Sequence, residues 1–274
     1  MSAVARPGAA AASVAAIGPA VARGFRALRT GLAFATFGIG ALIVAGIGFP
    51  LLHLLGGGPE MRDRRAQHLV HLSFRLFVWY MTALGLIRVS YEGIERLHGE
   101  SPALVIANHP TLIDVVLIIA AMPQADCVVK RAAWQNPFLR GIVAGTGYIS
   151  NSDGAAFVDA CVERLRRGRW LLVFPEGTRS PRGGLGAFRR GVAHVAFGSG
   201  CDIVPVVVTC DPPTLMKDQR WYAVPDRRVE LMVRVGERLR LGTPAASETP
   251  VAAARARTAE IRTRYEAELG YGRG

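Results

Sequence analysis

The sequence predicts an α/β protein, a mostly parallel or mixed sheet flanked by helices and preceded by an N-terminal membrane-embedded helical segment. Two observations carry this. Beyond Tyr91, short apolar runs alternate with longer segments, the strand, helix, strand rhythm of a sheet covered on both faces. Before it, no charged residue occurs from Thr30 to Pro59, and Gly31–Phe49 alone would span about 28 Å as a helix, close to the thickness of a bilayer core. The 274 residues are enough to bury a full α/β core. With 50% hydrophobic and 20% charged residues and a mean hydropathy of +0.25, the chain is neither a disulfide-stapled miniprotein nor a disordered one.

The elements follow in order. Residues 1–29 read as a flexible leader, Ala-rich at its start and interrupted by Pro7, Gly8, Gly18 and Pro19. Residues 30–89 read as a membrane-associated helical hairpin or span. Its second apolar stretch, Leu69–Val89, is interrupted by Arg75 and Arg88 and carries Trp79 and Tyr80, rings suited to an interface. Arginines flank the first stretch on both sides (Arg23, Arg26, Arg29; Arg62, Arg64, Arg65), so the positive-inside rule gives no orientation and a hairpin resting in one leaflet competes with a true span. Residues 90–245 form the α/β domain, with strands expected near Ala103–Ala107, Cys127–Lys130, Tyr148–Ser150, Trp170–Phe174, Ile203–Thr209 and Val229–Val235. Helices are expected near Thr111–Ala121, Ala155–Arg167 and Phe188–Phe197. Residues 246–274 supply a last helix near Pro250–Leu269, behind a Ser247 cap, and a tail.

The net charge of +12 rests almost wholly on arginine, since Lys130 and Lys217 are the only lysines. Such a surface favours anionic lipid, nucleic acid or an acidic carrier. No finger, helix-turn-helix or RNP-like pattern supports nucleic acid. Cys127, Cys161, Cys201 and Cys210 show no ligand spacing and read as free thiols of a reducing compartment. His68 and His71 lie three apart with no third ligand and read as helix surface or interface, so no metal site is expected. Arg164, Arg166, Arg167 and Arg169 read as a solvated helix C-terminus.

Chemistry belongs beyond the carboxyl ends of strands in an open α/β sheet. The run Ala103–Ala107 ends there in Asn108-His109-Pro110, followed by an apolar helix that contains Asp114. Pro110 suits a first helical position, which leaves His109 outside the helix and able to fold back to Asp114. A carboxylate on one imidazole nitrogen would leave the other free as a general base; an Asp/His pair that merely caps the helix is the alternative. The strand Leu171–Phe174 ends in Pro175-Glu176-Gly177-Thr178-Arg179-Ser180. Its glycine permits a tight turn and its arginine offers a fork suited to phosphate, although a solvated loop accounts for the same pattern.

Taken together, HPTLID and FPEGTRS resemble the two main motifs of the glycerolipid acyltransferase family, and the chain is similar to 1-acylglycerol-3-phosphate acyltransferases from about Tyr91 to Val235. Val129-Lys130 with Asn136-Pro137-Phe138 and Gly147-Tyr148-Ile149, and Ile203-Val204-Pro205-Val206, resemble two weaker family blocks. The resemblance implies transfer of an acyl group from a coenzyme A or acyl-carrier-protein thioester to a hydroxyl of a lysophospholipid or glycerol-phosphate-type acceptor. His109 would be the general base and Asp114 its orienting partner, while Lys130, Glu176, Gly177, Thr178 and Arg179 would bind substrate. No cofactor, metal or covalent intermediate is implied. The expected location is a membrane with the site facing the cytoplasm, the inner membrane in a bacterium.

One departure bears on the acceptor. Phosphate-handling members place an arginine near Ser150-Asn151-Ser152, which leaves a non-phosphate lipid acceptor as an alternative. A thioesterase, with water in place of the acceptor, is an alternative of a different class.

Overall fold

The computed structural model describes residues 9–271 apart from residues 100, 152, 153, 243, 245 and 246. Helix α1 (Ala9–Ile43) runs through a π-helical turn at Val44–Gly48 into α2 (Phe49–Leu54). Gly56 and Gly57, with φ of +66° and +97°, then reverse the chain in a left-handed conformation that side chains disfavour. The return helix α3 (Pro59–Ala83) lies against α1, where Phe37 meets Phe77 with centroids 5.1 Å apart. The stretch Val21–Leu54 is long and apolar enough to cross a membrane, and only 11% of its apolar window is buried. The helix thus begins upstream, within residues read as leader; residues 1–8 lie outside the described residues.

Seven strands follow: β1 (Ile87–Glu92), β2 (Ala103–Ala107), β3 (Asp126–Lys130), β4 (Ile149–Asn151), β5 (Leu171–Val173), β6 (Asp202–Asp211) and β7 (Val229–Val235). Their spatial order is β1-β7-β6-β2-β5-β3-β4, and every neighbouring pair is parallel except β6 with β7. The mixed, mostly parallel sheet is therefore as predicted. Strand β1 corrects the sequence reading, which assigned residues 87–89 to the membrane segment. Its burial alternates with period two, and it pairs with β7 from Ile87–Val229 to Glu92–Arg234, a partner more than a hundred residues away.

Strand β2 lies at the centre, and its residues are fully buried on both sides. Ala103, Val105 and Ala107 pack toward α3 and α4 (Asp114–Ala121). Leu104 and Ile106 pack toward α7 (Ala155–Arg166), α8 (Gly191–Ser199) and α9 (Pro250–Glu268). Two short helices, α5 (Arg131–Gln135) and α6 (Arg140–Gly145), join β3 to β4. On the second face Tyr265 of α9 donates its hydroxyl to Ile106 O at 2.6 Å and accepts the Val206 N–H at 3.1 Å. The cap of α9 is Thr249 rather than Ser247; its Oγ1 accepts from the Ala252 N–H at 3.3 Å.

The hairpin is fastened to the sheet by a buried polar triangle. Gln67 of α3 donates to Asp126 Oδ1 at 2.8 Å and to Thr146 O at 2.9 Å, and Arg169 donates to Asp126 Oδ2 at 3.0 Å and to Gln67 Oε1 at 2.6 Å. Arg169 is thus buried rather than part of a solvated run, because a fully buried carboxylate requires a cation. Arg166 and Arg167 are exposed as expected. His71 is buried too, its Nδ1 2.9 Å from Ile119 O in the last turn of α4, whereas His68 is exposed.

Candidate active site

Everything in the site hangs from the carboxyl end of β2. Asn108 prolongs that strand's hold on β6 by side chain: Nδ2 donates to Val208 O at 2.8 Å and Oδ1 accepts the Val208 N–H at 2.7 Å. The chain then turns before α4. Here the structure corrects the role given to Pro110, since the helix begins at Asp114. In the intervening turn Thr111 Oγ1 accepts the Ile113 N–H at 3.1 Å, and the Thr111 N–H donates to Asp114 Oδ2 at 2.8 Å. This reciprocal pairing resembles a capping box. It leaves the carboxylate at the helix start, within reach of the residue five positions earlier.

His109 Nδ1 lies 2.9 Å from the same Asp114 oxygen. The imidazole leans on Phe174 at the end of β5, with centroids 4.4 Å apart. Its Nε2 has no protein partner among the described residues, and the ring borders a cavity. Asp114 is fully buried with Oδ1 unpaired. Burial pushes its carboxyl up to about 6, against the opposing hydrogen bond and charge of His109 and the Thr111 N–H. A neutral imidazole whose Nδ1–H is held by a carboxylate can accept a proton at Nε2.

Glu176, expected among the substrate-binding residues, meets main-chain donors and the Ser180 hydroxyl. It is buried, does not line the cavity, and is spent on the backbone. Oε1 accepts the His109 N–H at 3.1 Å and the Ser180 hydroxyl at 2.7 Å, while Oε2 accepts the Gly186 N–H at 2.7 Å. The Ser180 N–H donates to His109 O at 2.7 Å, so the two motif loops are laced together through main chain. Thr178 is half-buried and also stays off the cavity wall. Gly177 lines it with φ +65°, but its own N–H is used by Phe174 O at 2.9 Å and is not available to a substrate oxygen.

Lys130 and Arg179 do reach the cavity. Arg179 is aimed by a segment that the sequence motifs do not announce: its Nη1 donates to Leu215 O and Met216 O, both at 2.8 Å, and the same Leu215 O accepts the Leu112 N–H at 3.1 Å. Partial burial holds the Lys130 ammonium below its usual range, and Arg179, Lys217 and Arg189 push it further down. Of these four cations, Lys130 and Arg179 line the cavity. Asn151, opposite Lys130 in the β3–β4 register, also lines it; Ser152 lies outside the described residues. Among the described residues no His, Cys, Asp and Glu cluster could hold a metal ion.

The cavity has a volume of about 950 Å³ and a largely apolar wall. It runs beneath α1, with Phe34 and Phe37 above it, and along α4, which contributes Val115, Val116 and Ile119.

A strand-end His–Asp pair, two cationic side chains and a long apolar cavity thus meet on one side of this sheet. Residues 88–209 match the family model described as Acyltransferase. Its relatives include 1-acyl-sn-glycerol-3-phosphate acyltransferase LPAT1, chloroplastic, of Arabidopsis thaliana, 28% identical over 44% of this chain and 36% of that one. A putative 1-acyl-sn-glycerol-3-phosphate acyltransferase of Caenorhabditis elegans is 34% identical over 49% and 50%, and the Limnanthes alba enzyme of that name is 30% identical over 58% and 57%. The chain spans about half the length of the curated relatives it matches. The crystal structure of the 1-acyl-sn-glycerophosphate (LPA) acyltransferase PlsC from Thermotoga maritima superposes with a TM-score of 0.68, covering 89% of this chain and 98% of that one at 20% identity, a likeness of fold. The family resemblance read from HPTLID and FPEGTRS is borne out.

Proposed function

We propose that this protein is a membrane-bound acyltransferase that moves an acyl group from an acyl-CoA or acyl-carrier-protein thioester to a hydroxyl of a lysophosphatidate-type acceptor. The observation that carries the reading is the His109–Asp114 contact of 2.9 Å with Nε2 open to an apolar cavity. In this reading Nε2 takes the acceptor's hydroxyl proton as the oxygen attacks the thioester carbonyl. The tetrahedral intermediate then collapses with loss of the thiolate, to which the imidazolium returns the proton. Asp114 holds the tautomer and stabilises the imidazolium, and no acyl-enzyme forms.

Lys130 and Arg179 on the cavity wall favour an acceptor with a phosphate, standing in for the arginine missing near Asn151. A non-phosphate lipid acceptor is the second reading, favoured by Asn151 on the cavity wall. Membrane association is supported by the exposed apolar residues of the hairpin, among them Leu28, Leu42, Leu54 and Leu76. The membrane is taken as the place of work, with the site on its cytoplasmic side.

The experiment is thioester turnover by purified protein with matched phosphate and non-phosphate lysolipids and both carriers. Acceptor-dependent release of thiol with formation of diacyl product supports the reading. Release of free acid at one rate with and without acceptor would replace it by a thioesterase.

A further inference from the structure

Among the described residues, two that are not glycine hold a left-handed backbone, Leu215 with φ +55° and Asp218 with φ +65°, and both lie in the segment that follows β6. Aspartate tolerates that conformation, whereas leucine adopts it only where its surroundings impose it. At Leu215 they do. Its carbonyl oxygen accepts the Leu112 N–H at 3.1 Å and Arg179 Nη1 at 2.8 Å. The next carbonyl, of Met216, accepts Arg179 Nη1 at 2.8 Å and the Gln219 N–H at 3.2 Å. Gln219 closes the turn in return, its Oε1 accepting the Met216 N–H at 3.1 Å. One carbonyl therefore joins the turn that follows His109 to the guanidinium of the second motif. Rotation about the N–Cα bond of Leu215 to a negative φ would swing that carbonyl away from both donors.

The manner of anchoring suits an anion. Arg179 is held through Nη1 alone and by neutral acceptors, so no carboxylate takes up its charge, and its Nη2 and Nε carry no hydrogen bond among the described residues. Its side chain lines the same cavity as His109. We propose that Leu215 is a positioning residue: the left-handed turn of its main chain, not its side chain, holds Arg179 at a fixed distance from His109. It thereby selects acceptors whose anionic group and attacking hydroxyl match that distance. The inference rests on the reading of Arg179 as an anion holder in acyl transfer and adds what aims it, a segment outside both HPTLID and FPEGTRS.

The test compares two substitutions whose conformational and apolar preferences run in opposite directions. Leu215→Val keeps an apolar side chain, but its β-branch disfavours the left-handed conformation; Leu215→Asn gives up the apolar side chain and tolerates that conformation. With lysophosphatidate as acceptor, Leu215→Val is expected to raise KM about tenfold with kcat within about threefold, and Leu215→Asn to raise KM by less than about threefold. The opposite order, or equal effects, would make Leu215 a piece of cavity wall and overturn the inference. A collapsed kcat with unchanged KM in Leu215→Val overturns it too, since the carbonyl would then act on the His109 turn alone. Arg179→Ala decides the underlying reading by itself: an unchanged KM there overturns the anion role and the inference with it. Where Arg179→Ala does raise KM, adding Leu215→Val should move KM less than about twofold further, because both changes remove one interaction. Effects that multiply overturn the inference. Gln219→Ala covers the case in which Leu215→Val does not fold. Gln219 does not line the cavity, yet its loss loosens the same carbonyl pair and should raise KM about threefold, again only while Arg179 is present. In that case an unchanged KM in Gln219→Ala overturns the inference.

Discussion

Glu176 holds His109 by the backbone and not by the ring, its Oε1 accepting the His109 N–H at 3.1 Å while the imidazole turns to Asp114. The acid of the second motif is thus a brace for the base of the first. Glu176→Ala is expected to lower kcat by about a hundredfold, the order of loss that an ångström of misplacement brings, and to leave the acceptor KM nearly unchanged, because the side chain does not reach the cavity. A raised KM with unchanged kcat would return Glu176 to substrate binding.

Activity should fall on acidification. Burial raises the Asp114 carboxyl to about 6, so its charge is lost as the pH drops through that value, and a protonated Asp114 no longer holds the Nδ1–H tautomer. kcat/KM should decline about tenfold per pH unit below 6. Asp114→Asn should keep a small residual rate without this acid limb, whereas His109→Ala should have none. An acid limb that persists in Asp114→Asn would assign the titration to another group.

The same burial predicts a stability change of opposite sign. A folded-state value raised from 3.8 to about 6 means that the folded chain binds this proton more tightly than the unfolded one. The cost of the buried charge is absent below pH 4 and fully present above 6, at roughly 3 kcal/mol. Asp114→Asn should therefore melt higher than the unaltered protein at pH 8, and the difference should vanish near pH 4. Calorimetry across that range checks it.

Removing one partner from the Gln67–Asp126–Arg169 triangle leaves a buried charge unpaired. Arg169→Met or Asp126→Asn should cost about 3–5 kcal/mol in chemical denaturation. Joint replacement of Arg169 and Asp126 by apolar residues should recover part of that loss. Equal losses for single and double variants would mean that packing, not charge, sets the cost.

Attachment to membranes through α1–α3 should survive 1 M salt, at which the Debye length falls to about 3 Å and arginine attraction to lipid is screened, because apolar burial does not weaken with salt. Sedimentation with vesicles before and after a salt wash checks it. Release by salt would make the arginine surface the anchor. Deleting residues 1–89 is no test, since the cut would remove α3 with Gln67 and half of β1.

By itself the sequence determined what depends on neighbours along the chain. Apolar patterning placed β2 and β7 to the residue, β2 as a continuous apolar run buried on both faces and β7 as a period-two alternation of buried and more exposed residues. His109 and Asp114 were legible as a pair because a single turn joins them. Tertiary structure decided whatever joins residues far apart in sequence. Strand β1 looked like the end of a membrane stretch until β7 paired with it. Arg169 looked solvated until Gln67, 102 residues earlier, and Asp126 enclosed it. Glu176 became a brace only when its loop closed over His109, 67 residues away. Local pattern fixes which side chains face inward; which polar group each of them meets there depends on strand order, since a buried donor or acceptor must find a partner wherever the fold supplies one.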